Sequence, residues 1–208
     1  MSRSVKLYDL APSPHNIKVR LALAYKKIPY EKIAVDGMNR EPVVKVSGQP
    51  LTPVLVHGDS VVYDSYAITR YLDANWPSPP RLYSADRATM QKIEEWESFA
   101  RNEATPPVGI CFGEAFARAA DPARLKKAND MINRAASRVE ESLARTPYLM
   151  GESPNAADFA LAPMFFYGTL PDSAAKLSPI HSFFHKNLHV EGSPRTREWV
   201  GRLMALES

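Results

Sequence analysis

Ser13 stands at the junction between a strand-like run, Val5–Asp9, and a segment whose apolar residues recur with helical spacing from Ile17 onward. A serine hydroxyl at a helix start can accept a hydrogen bond from the first free amides, and proline, here Pro14, is favoured at the first helical position. The same helix start presents free N–H groups and the positive end of the helix dipole, which suits an anion. Ser13 is therefore a candidate for capping, for holding an anion, or for both.

Three histidines and one cysteine are further candidates for chemistry. His181, His185 and His189 recur at i, i+4 and i+8, a spacing that could bind a metal on a helix face. No His-Glu-x-x-His pattern accompanies them, which favours a surface or partly packed face. For Cys111, which we expect near a cleft between two domains, a small buried apolar residue is the favoured interpretation. The absence of Cys-x-x-Cys argues against a thiol-disulfide oxidoreductase.

The composition is that of an ordinary globular protein. Of the 208 residues 45% are hydrophobic, and 26 basic against 23 acidic residues give a net charge of +3 without a long basic block. A single cysteine excludes an internal disulfide, and the first ten residues contain no apolar stretch typical of a secretory signal. No apolar run approaches the roughly 18 residues of a membrane span. We expect a cytoplasmic protein that binds neither nucleic acid nor membrane.

The elements that must position Ser13 follow one another as strand, helix, strand, hairpin and helix. The patterns predict strands at 5–10 and 30–35, with a helix from about Pro14 to Lys26 between them. After a polar stretch, strands at 52–56 and 60–63 flank the turn His57-Gly58-Asp59, and a helix runs from about 65 to 75. This order predicts a small α/β domain with a mixed sheet.

The apolar period becomes helical after a proline cluster at Pro77, Pro79 and Pro80, which is typical of a linker. Two helical faces follow: Met90, Ile93, Trp96, Phe99 and Ala100, then Leu125, Ala128, Ile132, Ala135, Val139 and Leu143. No strand pattern of similar strength follows residue 87. The second domain is therefore expected to be all helical.

Four stretches resemble the cytosolic glutathione transferase family, and the layout resembles that family along the whole chain. SPHNIKVR (13–20) is similar to its Ser/Cys-Pro turn from strand to helix. TPVLVHGDSVVYDSYAITRYLD (52–73), the most specific stretch, is similar to its hairpin and acidic-Ser helix start. GESPNAADFALAP (151–163) resembles its capping box, with Asn155 as N-cap and Asp158 three residues later. The proline-rich linker is the fourth.

The resemblance implies a fold class of α/β plus all-α. An N-terminal thioredoxin-like domain with a mixed sheet, 1–76, would bind glutathione. A linker at 77–86 would lead to a C-terminal all-helical bundle domain, 87–208, that binds an electrophile. The resemblance also implies a serine-type active site, and Asp64 in place of the commoner glutamate is similar to branches that include bacterial and fungal aryl-ether-cleaving transferases.

The family resemblance assigns roles to the second motif. In this family the peptide bond before the proline at the position of Pro53 is cis, which would expose the backbone of Thr52 to the extended γ-Glu-Cys-Gly peptide. Asp64 would approach the γ-glutamyl ammonium, and Ser65 with the free amides of its helix would bind the γ-glutamyl carboxylate. Simple N-capping is the alternative for Ser65.

Ser13 would then stabilise the thiolate of bound glutathione, which is the nucleophile. A free thiol has a pKa near 8.5, and lowering it to about 6.5 requires ~2.7 kcal/mol in favour of the anion. A hydroxyl hydrogen bond to an ionised group supplies roughly 1.5 to 3 kcal/mol, and a helix N-terminus adds about 0.3 to 1. No general base is needed. Capping alone is the alternative for Ser13, and Tyr8 is the competing hydroxyl.

One position departs from the family pattern. Leu51 occupies the place of a lysine whose ammonium usually contacts the glycyl carboxylate of glutathione. Gln49, Lys45 and Arg40 are candidate substitutes.

We expect a glutathione transferase that uses glutathione as co-substrate, needs no metal and forms a homodimer. Candidate residues of the electrophile pocket, which the helical domain would form, are Pro12, Phe112, Phe116 and Tyr167. The alternatives are a glutathione-dependent isomerase or aryl-ether-cleaving enzyme, and a non-catalytic interaction module of the kind found in translation complexes. Because such modules commonly lack the activating hydroxyl, the presence of both Ser13 and Ser65 favours an enzyme.

Overall fold

The computed structural model describes residues 4–207. These residues form two compact units, 4–85 together with 206–207, and 86–205. The fold class expected from the sequence is confirmed, because the first unit is an α/β domain of the thioredoxin-like kind and the second is helical. Residues 77–85, most of the expected linker, group with the first unit.

The first unit is built on a four-stranded mixed sheet with the order β2-β1-β3-β4. The strands are β1 (Val5–Asp9), β2 (Tyr30–Ala34), β3 (Val54–His57) and β4 (Ser60–Tyr63). β1 runs parallel to β2 and antiparallel to β3, and β3 runs antiparallel to β4. Every second residue of β1 is buried, as expected for a strand with one face against the core. The chain leaves this central strand directly into the turn that carries Ser13.

Three helices accompany the sheet: α1 (Pro14–Tyr25), α2 (Glu41–Ser47) and α3 (Ser65–Asn75). Gly58 has a φ of 60°, the left-handed conformation that a two-residue hairpin turn requires. The predicted strands, the hairpin and the helices at 14–26 and 65–75 are confirmed within one or two residues of their ends. Helix α2 was not predicted, because it lies in the stretch that we interpreted only as polar.

The second unit contains helices and short helical turns. They are α4 (Arg87–Phe99), a π-helical turn (Ala100–Ala104), α5 (Thr105–Ala115), α6 (Pro122–Ser142), α7 (Ala156–Phe166), a 3₁₀ turn (Ala174–Lys176), α8 (Pro179–Asn187) and α9 (Pro194–Met204). Residues 156–165 of α7 are all buried, so this helix is the centre of the unit. Within residues 4–207 no helix is long and apolar enough to cross a membrane.

The predicted capping box at the start of α7 is confirmed. The side chain of Asn155 accepts a hydrogen bond from the N–H of Ala157, and the N–H of Asn155 donates to the Asp158 carboxylate at 3.0 Å. The other carboxylate oxygen accepts from the N–H of Leu149 at 3.0 Å and from the indole N–H of Trp199 at 2.8 Å. Burial raises the pKa of Asp158 to about 6, against the three donors, which lower it. This carboxylate ties α7 to α9.

Candidate functional site

Ser13 lies immediately before α1 and does not cap it with its side chain. Its backbone is extended, with φ −133° and ψ 124°, and its hydroxyl makes no hydrogen bond to the described residues. Its carbonyl instead accepts from the N–H groups of Asn16 and Ile17, at 3.1 and 3.0 Å. The capping interpretation of the hydroxyl is therefore wrong. Within residues 4–207 the hydroxyl makes no hydrogen bond that would have to break before it binds a ligand.

The start of α1 has the local order expected from its sequence. Pro14 is the first helical residue, where its missing N–H costs no hydrogen bond. Pro12, a predicted pocket residue, lies in the same turn and follows a cis peptide bond from Ala11. The N–H of His15 makes no backbone hydrogen bond to the described residues and is a free donor of the first turn.

The second motif presents an open stretch of backbone. The peptide bond between Thr52 and Pro53 is cis, as the family resemblance implied. Pro53 is buried, whereas Thr52 is only half-buried and lies just before β3. Among the described residues, neither the N–H nor the carbonyl of Thr52 takes part in a backbone hydrogen bond. An extended peptide could pair with both groups as an added strand segment.

Asp64, and not Ser65, is the N-cap of α3. One carboxylate oxygen of Asp64, Oδ1, accepts hydrogen bonds from the N–H groups of Tyr66 and Ala67, at 2.9 and 3.0 Å. Its backbone has a φ of 69° and a ψ of 121°, a conformation that costs a non-glycine residue about 1 to 3 kcal/mol. Ser65 is the first residue of the helix and is 4% exposed. The N-cap interpretation of Ser65 is therefore wrong, and its hydroxyl makes no hydrogen bond to the described residues.

Charged groups from α1 and α3 surround this region. Lys18 is almost fully buried, with its ammonium nitrogen over the ring of Tyr66. The pKa of His15 is lowered to about 4, chiefly by burial and also by the nearby Lys18, while Asp64 acts to raise it. The imidazole of His15 is therefore neutral at neutral pH, and the positive charge of Lys18 lies close enough to act on it. The free N–H of His15 at the start of α1 is the feature here that favours an anion.

The candidate contacts for the glycyl carboxylate differ in their availability. The amide of Gln49 donates to the Ser47 hydroxyl and to the Leu51 carbonyl, and its oxygen accepts from the Leu51 N–H. The side chain of Gln49 is therefore used in hydrogen bonds within its own loop.

Lys45 forms an exposed ion pair of 2.7 Å with Glu41. Arg40 donates through Nε to the carbonyl of Gly37, at 3.2 Å. Leu51 itself is 72% exposed. Of the two cationic candidates, Lys45 is engaged in an ion pair and, among the described residues, Arg40 is not.

The predicted pocket residues of the helical unit do not lie together. Phe112 and Tyr167 contact each other edge to face at 5.6 Å between ring centroids, and both pack on Phe184. Tyr167 is fully buried, whereas Phe116, at the end of α5, is 77% exposed. Cys111 is fully buried and burial raises its pKa to about 11, which keeps it as an unreactive thiol. The interpretation of Cys111 as a small buried residue is confirmed.

The three histidines of the carboxyl-terminal region are engaged separately. His181 contacts the hydroxyl of Ser178 at 2.7 Å, and His185 contacts the carboxylate of Asp172 at 3.0 Å. Helix α8 ends at Asn187, so His189 lies beyond the helix and does not continue its face. The part of the chain that the structure describes contains no group of three or more His, Cys, Asp or Glu residues that could hold a metal ion.

Asn16 is the residue that the sequence analysis did not single out. It is fully buried in the first turn of α1 and is hydrogen-bonded to Leu10, which precedes the Ser13 turn, and to Thr52 of the second motif. The sequence contained one indication of this role, the residue type. Asparagine inside an apolar helical face is unfavourable unless its side chain is hydrogen-bonded to a neighbouring segment.

Two family models match this chain. The model described as glutathione S-transferase, N-terminal domain, matches residues 7–80. The model described as glutathione S-transferase, C-terminal domain, matches residues 114–202. Together these segments cover well over half of the chain.

The chain is also similar to plant glutathione S-transferases. It is 28% identical to glutathione S-transferase 3 of Zea mays over 165 residues, which are 74% of this chain and 73% of that protein. It is 31% identical to glutathione S-transferase U14 of Arabidopsis thaliana over 101 residues, which are 46% of this chain. That second match spans 42% of the length of the relative, less than half.

The fold is similar to that of a Tau class glutathione S-transferase from mango, Mangifera indica. The TM-score is 0.75 at 22% sequence identity, and the match covers 97% of this chain and 89% of the mango chain. At this identity the likeness concerns the fold alone.

Proposed function

The chain belongs to the glutathione S-transferase family, and from this premise we propose that it binds glutathione in its first unit and activates the thiol through Ser13 for attack on an apolar electrophile. The observation that carries the proposal is the hydroxyl of Ser13, which has no cap hydrogen bond although it stands at a helix start. A hydroxyl held at such a place can donate to a thiolate. The proposal places the protein in the cytoplasm, where glutathione is kept reduced.

The energetics of the turn support thiolate formation. A hydrogen bond from Ser13 to the sulfur contributes roughly 1.5 to 3 kcal/mol, and the N-terminus of α1 about 0.3 to 1. Together these match the ~2.7 kcal/mol that lowers a thiol pKa from 8.5 to about 6.5. The thiol proton passes to water, and the neutral His15 is not required as a base.

The orientation of glutathione follows from the open groups of the site. The cysteinyl backbone pairs with the N–H and carbonyl of Thr52, which take part in no backbone hydrogen bond among the described residues. The γ-glutamyl carboxylate accepts hydrogen bonds from the hydroxyl and the N–H of Ser65, because the next two amides of α3 are already bound to Asp64 Oδ1. The γ-glutamyl ammonium meets the other carboxylate oxygen of Asp64, Oδ2. Arg40 takes the place of the missing lysine at the glycyl carboxylate. Gln49 supports this loop rather than the ligand.

In the chemical step the thiolate sulfur forms a bond to the electrophilic carbon of the second substrate. In a substitution, the bond to the leaving group breaks and that group departs with the electron pair. Cleavage of an aryl ether follows the same course with a phenolate as the leaving group. Pro12, Phe112 and Phe116 remain predicted electrophile contacts, and their apolar character supports an apolar substrate. Tyr167 is fully buried, so its predicted role is reduced to packing against the ring of Phe112.

A panel of electrophiles incubated with glutathione and the protein tests this proposal. The panel contains an aryl halide, an α,β-unsaturated carbonyl compound and a β-aryl ether, and product formation is compared with the reaction without protein. Acceleration of one or more of these reactions is expected. Glutathione binding without acceleration of any of them would favour the non-catalytic interaction module.

A further inference from the structure

Asn16 connects three segments of the first unit through one buried side chain. It is fully buried, and its Oδ1 oxygen accepts a hydrogen bond of 3.1 Å from the N–H of Leu10. Its Nδ2 group donates to the hydroxyl oxygen of Thr52, also at 3.1 Å. Leu10 opens the turn that ends at Ser13, and Thr52 begins the cis-proline segment. The oxygen and the nitrogen of the Asn16 amide are therefore each hydrogen-bonded to one of the two segments that carry the proposed glutathione contacts.

The backbone alone does not hold these two segments together. The ladder between β1 and β3 ends at the pair Tyr8 and Val54. Beyond this pair, no backbone hydrogen bond among the described residues joins the segment 10–13 to Thr52. The Asn16 side chain bridges the two segments beyond the last ladder pair. Asn16 and Thr52, which it contacts, are 36 residues apart along the chain.

We infer that Asn16 is a positioning residue that sets the distance between the Ser13 hydroxyl and the Thr52 backbone, and thereby holds the cysteinyl sulfur of glutathione where the hydroxyl can donate to it. This inference rests on the proposed function. Thr52 holds the backbone of the cysteinyl residue, whereas Ser13 faces its sulfur. A hydrogen bond to the thiolate loses strength when its length or angle varies. Asn16 acts on the thiol only through these two segments and does not itself touch the ligand.

Two variants remove the bridge from its two ends. Asn16→Ala removes both hydrogen bonds, and Thr52→Val removes only the hydroxyl while keeping the size of the side chain and its backbone groups. Each is expected to raise the pKa of the bound thiol, by about one unit for Asn16→Ala and less for Thr52→Val, which lowers the thiolate fraction at pH 6 up to tenfold. Because the two substitutions remove one shared contact, the double variant should show less than the sum of the single effects.

A matched control is available in the helical unit. Asn129 also bridges segments, donating to the carbonyl of Asn187 at 2.7 Å and accepting from the N–H of His189 at 2.9 Å. Asn129→Ala should lower stability while leaving the thiol pKa unchanged. This comparison separates positioning from the general loss of a bridging asparagine.

The experiment is a pH titration of thiolate absorbance in the complex with glutathione, together with calorimetric affinity and chemical unfolding for each variant. A raised thiol pKa in Asn16→Ala and Thr52→Val, with an unchanged pKa in Asn129→Ala, supports the inference. Variants that are less stable but titrate like the wild type would overturn it and leave Asn16 a purely structural residue. If Asn16→Ala does not fold, Thr52→Val decides by the same criterion. Failure of the proposed function is visible separately, because the wild type itself would then bind no glutathione or show an ordinary thiol pKa.

Discussion

The carboxylate of Asp64 caps α3, so the hydroxyl of the neighbouring Ser65 is not used to cap the helix. Asp64 accepts from the N–H groups of Tyr66 and Ala67 at 2.9 and 3.0 Å, in a backbone conformation with positive φ. The two adjacent residues therefore have different tasks. Substitution of Asp64 should affect folding as well as the proposed contact with the ammonium, whereas substitution of Ser65 should affect only binding of the ligand.

Ser65→Ala is expected to weaken glutathione binding by about 10- to 100-fold. The reason is the loss of a hydrogen bond to a charged carboxylate, worth about 1.5 to 3 kcal/mol. Because the hydroxyl makes no hydrogen bond within the described residues, the free energy of unfolding should change by less than about 0.5 kcal/mol. Calorimetry and urea unfolding measure the two quantities. Unchanged affinity would remove Ser65 from the site.

Asp64→Ala is the complementary variant. It removes the N-cap of α3 and leaves a positive φ in place, so we expect a loss of at least about 1 kcal/mol of unfolding free energy. Urea unfolding of this variant beside Ser65→Ala gives the comparison. Equal stability of the two variants would show that the cap contributes nothing.

His15 should make stability depend on pH between about 4 and 6.5. Burial lowers its pKa in the folded state from 6.5 to about 4, so the unfolded state binds more protons in this window. Its contribution to stability is therefore fully present above pH 6.5 and is lost as the pH falls through 4, by about 2 kcal/mol after allowance for the partly exposed ring.

The variant His15→Gln isolates this effect. Its unfolding free energy should fall less between pH 7 and pH 4.5 than that of the wild type. Asp158 has the opposite sign, because its pKa of about 6 in the folded state lies above the ordinary value, but it is present in both proteins and cancels in the difference. Parallel stability curves for the two proteins would contradict the assignment of a neutral buried imidazole.

Trp199→Phe should destabilise the helical unit without changing the glutathione site. The indole N–H donates to the buried carboxylate of Asp158 at 2.8 Å, and the loss of a hydrogen bond to a charged group costs about 1.5 to 3 kcal/mol. Trp96→Phe is a matched control, because Trp96 makes ring contacts with Phe99 and Arg138 that phenylalanine can retain in part. Chemical unfolding tests both variants. Equal effects would mean that ring volume, and not the hydrogen bond, determines the loss.

A homodimer is expected from the family. Light scattering at micromolar concentration should give twice the chain mass of 23.2 kDa. A monomer at that concentration would count against this part of the account.

Most of the fold could be predicted because its elements have strong local signals. The turn at Gly58 and the helix from Ser65 to Asn75 were found within a residue. Helix α2 was not, because it is only seven residues long and contains Val43, Val44 and Val46, whose branched side chains favour strands. Its clearest signal is Gly48, which ends the helix with a φ of 73°.

The candidate site remains a prediction, and only part of its geometry could be expected from the sequence. Ser13, Thr52 and Ser65 were proposed because each stands at the end of an element or in a turn with a recognisable motif. Asn16 was missed because its meaning depends on a contact 36 residues away, which no local pattern shows. The hydrogen bonding of the Gln49 amide could not be predicted either, because its three hydrogen bonds form only when the loop folds.

The central claim is that Ser13 lowers the pKa of the thiol of bound glutathione. Titration of thiolate absorbance against pH, for the glutathione complexes of the wild type and of Ser13→Ala, tests it most directly. Removal of a hydrogen bond worth about 1.5 to 3 kcal/mol predicts a rise in the thiol pKa of roughly one to two units, with a smaller effect on glutathione affinity at pH 7. Superimposable titration curves would contradict the claim, and Tyr8 would then be the next hydroxyl to substitute.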